Sequence, residues 1–188
     1  MTRNRVPPPV TSWLLLIYTV PSEPTRLRAA IWRELKKVGA VYLRDGVCAL
    51  PARPETKESL RVIAARVTEF DGRVTLVEEA RLDPTQSGPI VDQANAARAE
   101  EYGEVGREVE AFLAHVARER GHREFTFAEV EELEADLGKL KRWAAQIGAR
   151  DYFESDGAAP VWDLLGRGEV DLANFLEEAY RHTEEAGS

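Results

Sequence analysis

Five cations recur at helical spacing in the first fifth of the chain and are its clearest candidates for binding another molecule. At about 100° per residue, four of them lie opposite the apolar side chains of a helix predicted to begin near Pro24 and end at Gly39. Each cation can neutralise a phosphate, and a few such contacts supply most nonspecific affinity for DNA. The alternative is a solvated outer face of a helix that packs on a sheet. The candidate nucleic-acid-binding residues are Arg26, Arg28, Arg33, Lys36 and Lys37.

One of these cations has an aromatic neighbour. Arg28 lies toward the flank of the predicted helix beside Trp32, and we expect its guanidinium to stack on the indole. No helix-turn-helix signature is evident, so the pattern does not indicate which element would read base edges.

A second basic cluster lies much later, near Trp143 and Tyr152. Its surroundings are acidic, so internal salt bridges are the alternative to a binding role. The cluster consists of Lys139, Lys141, Arg142 and Arg150.

The histidines offer a weaker pattern. His115, Glu119 and His122 have i, i+4, i+7 spacing, which suits metal-binding helices. Gly121 is predicted to end the helix before His122, however, and no matching second motif exists. We therefore expect no metal site and no cofactor.

The chain also contains no nucleophile elbow and no P-loop, and we expect a protein that is not an enzyme.

The elements that must position the basic helix form an α+β pattern. An apolar run at 13–20 predicts a strand, and Asp45-Gly46 between two alternating segments predicts a hairpin. A second amphipathic helix is predicted over 56–70, and Asp71-Gly72 turns into a last strand. The order β-α-β-β-α-β is ferredoxin-like. We predict a ferredoxin-like α+β subdomain at 12–83, preceded by a flexible tail at 1–11.

The rest of the chain, 84–188, is predicted to be a helical subdomain. We expect helices over 90–120, from a capping box of Thr126 and Glu129 to about 147, and over about 170–182, with a loop at Gly157–Pro160.

Charge divides the chain unevenly. Residues 1–75 contain 13 Lys and Arg against 7 Asp and Glu, a net charge of +6, whereas residues 76–188 carry −14. This favours a basic platform joined to an acidic helical half. A single cysteine fits a reducing compartment, and no apolar run approaches a membrane span or a signal peptide, so we expect a cytoplasmic protein.

The same segments resemble a known family. The chain is similar to the N-terminal domain of the ChrB family, which is associated with bacterial chromate resistance. The resemblance covers most of residues 12–155 and is distributed rather than confined to one signature. It is carried by WLLLIYTVP, RLRAAIWRELKKVGAVYL, GVCALP and LGKLKRWAAQIGARDYF.

The resemblance implies a cytoplasmic regulator that responds to chromate and controls an operon containing a chromate efflux pump. Family members often carry a separate C-terminal domain, which we expect this chain to lack because it ends at Ser188. Operators favour two-fold partners, so we expect a DNA-binding homodimer. One alternative is a protein-interaction subunit that docks a separately encoded sensor domain through the helical half. Another is a protein that binds chromate directly.

Chromate is a tetrahedral dianion, and helix N-termini offer free N–H groups to such anions. The candidate oxyanion-binding residues at the start of the first helix are Ser22, Thr25, Arg26 and Arg28. The alternative is an ordinary helix start. Chromate also oxidises thiols, but Cys48 lies between Val47 and Ala49 with no charge to stabilise a thiolate, and we expect it to be inert and buried.

Overall fold

The structure, a computed structural model, describes residues 12–122 and 126–186. The predicted tail at 1–11 lies outside them. Contacts divide the described chain into two units. A sheet unit comprises the residues up to Ala96 together with Arg150–Glu154, and a helical unit comprises Ala97–Ala149 and the residues from Ser155 onward.

The sheet unit has the predicted element order, and the α+β class is confirmed. Its four antiparallel strands lie in the order β2-β3-β1-β4, which is the ferredoxin-like order. The strands are β1 Trp13–Thr19, β2 Val41–Arg44, β3 Val47–Pro51 and β4 Arg73–Ala80, and the helices between them are α1 Thr25–Lys37 and α2 Pro54–Glu69.

Strand alternation directs one face of the sheet toward these two helices. Leu14 and Leu16 of β1 are fully buried in a cluster with Ile31 and Leu35 of α1 and with Leu60 of α2. Removing this apolar surface from water is what holds α1 in place. The orientation of the outer face of α1 follows from this packing.

The predicted hairpin at Asp45-Gly46 is confirmed, with β2 and β3 pairing on either side of it. Gly46 has a φ of +69°, and a Cβ there would lie 2.4 Å from the Tyr18 carbonyl oxygen. Only glycine satisfies both the left-handed backbone and the close approach of β1.

The second face of the sheet is covered by residues that follow β4 in sequence. Trp13 and Ala49 are fully buried there, in a cluster with Ile90, Ala94 and Phe153. The ring centroids of Trp13 and Phe153 are 5.9 Å apart.

The returning segment Arg150–Glu154 is held by Tyr152 as well as by Phe153. A guanidinium N–H of Arg53 donates to the Tyr152 carbonyl oxygen at 2.7 Å, and the guanidinium lies 5.3 Å from the centre of the Tyr152 ring. The Tyr152 hydroxyl donates to the Val38 carbonyl oxygen at 3.0 Å. These contacts join the end of α1 and the start of α2 to a segment about 100 residues later.

Helix α3, Pro84–His122, begins six residues earlier than the predicted Ile90. The Asp83 carboxylate accepts bonds from the backbone N–H groups of Thr85 and Gln86, and proline is tolerated at a first helical position. Hydrogen bonds from Thr85 and Gln86 hold the pKa of Asp83 below its usual value, the Thr85 hydroxyl contributing most. The predicted start at Ile90 was wrong, because α3 includes Pro89 and extends back to Pro84.

Helix α4, Phe127–Gly148, begins as predicted after Thr126, whose hydroxyl accepts the Glu129 backbone N–H. Helix α5, Ala158–Ala186, corrects both the predicted start near 170 and most of the predicted loop at Gly157–Pro160. Gly168 lies within this helix, and a Cβ there would lie 3.2 Å from a Leu137 methyl and 3.4 Å from the Phe112 ring. Close packing of the helices offsets the low helix propensity of glycine. Within the described residues, no helix has both the length and the apolarity to cross a membrane.

Candidate nucleic-acid interface

Helix α1 presents a face of uncompensated positive charge. Ile31 and Leu35 point into the sheet unit, and the opposite side of the helix faces solvent. All five predicted cations of α1 are exposed, and no described carboxylate forms an ion pair with any of them. The basic face is defined as Arg26, Arg28, Arg33, Lys36 and Lys37.

The carboxylate of Glu34, which is the acidic residue of α1, is engaged elsewhere. It forms an ion pair with Arg66 of α2, and Arg66 also lies 5.7 Å from the centre of the Phe70 ring. This pair ties α1 to α2 and keeps the Glu34 charge from offsetting the basic face. The local charge of α1 is therefore set by its cations.

The predicted stacking partner of Trp32 was wrong. Lys36, not Arg28, lies over the half-exposed indole, with its ammonium nitrogen 5.4 Å from the ring centre. Both residues are four positions from Trp32, but a helical side chain leans toward the N-terminus, which brings the later residue back over the earlier one. The indole and the ammonium group together form an amphipathic spot on the basic face.

Toward α2 the positive charge is partly offset. Lys37 lines a groove between the two helices together with Glu55 and Glu58 of α2. The two carboxylates are exposed, so solvent screens them, but they lower the potential at this edge. Glu55 and Glu58 therefore offset part of the positive charge around Lys37.

The predicted oxyanion residues lie at the N-terminus of α1. Its N-cap is Pro24, no side chain caps the helix, and no carboxylate lies in the first turn. The Leu27 N–H donates to the Pro24 carbonyl oxygen at 3.0 Å, so the N–H groups of Thr25 and Arg26 are the ones left for an anion. Ser22, Thr25, Arg26 and Arg28 are all exposed there, so they lie on an open surface.

The two lysines of the second basic cluster form ion pairs within the helical unit. Lys139 lies 2.7 Å from the Asp136 carboxylate, and Lys141 forms an ion pair with Glu169 of α5. Arg142 is exposed, and Arg150 belongs to the sheet unit rather than to the helical one. The alternative of internal salt bridges therefore holds for Lys139 and Lys141.

Cys48 is buried in the sheet, beneath a pair of tyrosines. The Tyr18 and Tyr42 hydroxyls are 3.0 Å apart, and burial raises the pKa of both phenols. Burial also raises the pKa of the Cys48 thiol to about 12. A thiol in this environment is a small apolar core residue.

We expect native Cys48 to react with a thiol-specific disulfide reagent at least about a hundredfold more slowly than in the urea-unfolded chain. The thiolate is the nucleophile, and raising the pKa lowers its fraction tenfold per unit. Because the chain has one cysteine, released chromophore reports this thiol alone. Equal rates in the two states would show that Cys48 is accessible and reactive.

Sequence reasoning missed one potential metal ligand. The carboxylate of Glu129, assigned only to a helix cap, lies 3.3 Å from His115 Nε2, and the Glu119 carboxylate lies 3.5 Å from the same nitrogen. His122 is still helical, contrary to the predicted stop at Gly121, but it does not belong to this group. The capping-box pattern placed Glu129 in the first turn of α4, but its contact with α3 depends on how the helices pack.

Comparisons with known proteins agree with the resemblance. A family model described as "Protein ChrB, N-terminal" matches residues 28–186. A protein of Cupriavidus metallidurans described as "Protein ChrB" is 32% identical over 124 residues. The matched part covers 60% of this chain and 38% of that relative, so the match spans less than half of the relative's length. The family match includes four of the five basic-face residues and begins after Arg26.

Proposed function

Because the chain belongs to the ChrB N-terminal family, we propose that it is a non-enzymatic regulator of chromate resistance that binds DNA through the basic face of α1. The supporting observation is that five exposed cations occupy one helix whose own carboxylate is paired with α2. Chromate binding, homodimerisation and a cytoplasmic location stay predictions.

The dimensions of α1 suit a duplex. Arg26 and Lys37 are separated by about 16 Å along the helix axis, at 1.5 Å per residue. This distance exceeds the width of the major groove of B-DNA, about 12 Å. Cations at the two ends are therefore spaced widely enough to contact phosphates on both sides of the groove.

In this proposal, DNA binding depends on the charge close to the contact surface rather than on the net charge of −8. At about 0.1 M salt, charges more than about 10 Å away are largely screened. Five phosphate contacts give an expected slope of about −4.5 for log affinity against log salt. The expected affinity then falls about five-hundredfold between about 50 and 200 mM salt.

A fluorescence anisotropy titration with the DNA upstream of the chain's own gene tests the proposal. We expect saturable binding that is stronger than to a scrambled duplex of the same length and composition, with a salt slope near that value. Equal affinity for both duplexes would contradict a regulatory role for this chain alone. Absence of binding at low salt would contradict the DNA interface and favour the protein-interaction subunit.

A further inference from the structure

We propose that His115, Glu119 and Glu129 bind a divalent first-row transition-metal ion between α3 and α4. One potential ligand atom from each residue lies within 4.8 Å of the other two. All three belong to the helical unit, far in sequence from the basic face. The site therefore stands independently of the proposed DNA interface.

Two of the three distances in this group match those between ligands that share one ion. Zinc bonds to imidazole nitrogen and carboxylate oxygen are about 2.0–2.2 Å long, so neighbouring ligand atoms in one shell are about 3–3.5 Å apart. His115 Nε2 lies 3.5 Å from the Glu119 oxygen and 3.3 Å from the Glu129 oxygen. The imidazole nitrogen is thus already at ligand spacing from both carboxylates.

The two carboxylates beside His115 also favour the binding of a cation. Two carboxylates approach one imidazole, and the side chains of Glu119 and Glu129 are only 16% and 23% exposed. Among the described residues, no lysine or arginine forms an ion pair with either carboxylate. Two partly desolvated negative charges are costly to bring together without a positive partner. A divalent ion would supply that charge.

The helices hold the ligands in position. His115 and Glu119 lie one turn apart on the same side of α3. Glu129 lies in the first turn of α4, where the Thr126 hydroxyl accepts its backbone N–H. Val116 and Leu133 pack in the common core of the helical unit, which places the two helices against each other. The side chains therefore need little ordering to bind an ion.

The donor set selects the class of ion. Imidazole nitrogen suits zinc, iron, nickel and copper, whereas magnesium and calcium prefer sites built from oxygen alone. Three protein ligands leave further positions for water, and His115 also lines an open groove between α3 and α4. The bound ion would link the end of α3 to the start of α4.

Isothermal titration of tag-free protein with Zn²⁺ tests the proposal. We expect one zinc ion per chain and a zinc-dependent rise in the thermal unfolding midpoint that excess EDTA removes. His115→Ala, Glu119→Gln and Glu129→Gln should each weaken zinc binding at least about tenfold. His122→Ala and Glu132→Gln serve as matched controls, because both residues are exposed neighbours outside the group, and they should bind zinc as the unsubstituted protein does.

Circular dichroism of each variant without metal shows whether the helical unit remains folded. The isosteric glutamine variants test the ligands if His115→Ala unfolds. Absence of zinc binding by the unsubstituted protein would overturn the proposal. It would equally be overturned if His122→Ala lost as much affinity as His115→Ala, or if both folded glutamine variants bound zinc normally.

Discussion

Simultaneous replacement of Arg33, Lys36 and Lys37 by alanine is expected to weaken DNA binding about a hundredfold at about 0.15 M salt. Each lost phosphate contact lowers the salt slope by about 0.9, so the three together lower it by about 2.7. Applied at about 0.15 M salt, this decrease in the slope of log affinity against log salt gives the expected hundredfold loss of affinity. Fluorescence anisotropy at several salt concentrations measures both the affinity and the slope.

The folding of this variant should be nearly unchanged. The three side chains are exposed, and alanine is the best helix former. The variant loses the contact between Lys36 and the Trp32 ring, which at an exposed position is worth about 0.5–1 kcal/mol. A thermal unfolding midpoint within a few degrees of the original would assign the loss of affinity to the interface itself.

A control variant with the same change in net charge distinguishes the effect of the basic face from the effect of the net charge of the chain. Arg107, Arg118 and Arg167 are exposed helix positions of the helical unit, and alanine at all three also removes three positive charges. We expect this control to change DNA affinity by no more than about twofold to threefold, because none of its side chains belongs to the basic face and the expected phosphate contacts are all retained. If it weakened binding as much as the α1 variant, net charge rather than the basic face would govern binding.

Phe153→Ala is expected to lower the free energy of unfolding of the sheet unit by about 3–5 kcal/mol, the usual cost of removing a buried phenylalanine side chain. Phe153 is 5% exposed and packs against Trp13, Ile90 and Ala94. Its removal leaves a cavity on the second face of the sheet. Urea unfolding followed by tryptophan fluorescence measures the change.

Two further substitutions serve as references for this expected loss of stability. Phe153→Leu retains most of the apolar volume and should cost clearly less than alanine. Tyr180→Ala removes an aromatic ring that is 73% exposed, and it should change stability by no more than about 0.5 kcal/mol. An unfolding midpoint for Phe153→Ala equal to that of Tyr180→Ala would show that the returning segment does not stabilise the sheet.

The contacts of Phe153 also limit which fragments of the chain can be used in a DNA-binding test. A fragment ending at residue 83 or at residue 149 retains the four strands but loses Phe153, and the shorter one also loses Ile90 and Ala94. Trp13 and Ala49 would then be exposed to water. A DNA-binding test on such a fragment would therefore confound loss of folding with loss of the interface.

The sequence by itself determined the features that depend on local periodicity and turn chemistry. Alternation in the strands, the Asp45-Gly46 turn and the 3.6-residue period of α1 predicted the ferredoxin-like order and the outward cations. These signals lie within short windows, because backbone geometry dictates which neighbouring side chains share a face.

Only the tertiary structure decided which distant residues meet. Phe153 lies on Trp13, Glu34 pairs with Arg66, and Glu129 approaches His115 across two helices. Each contact depends on helix packing that brings together residues from separate elements, and no local period encodes it. The close packing of Gly168 of α5 against Leu137 and Phe112 has the same origin.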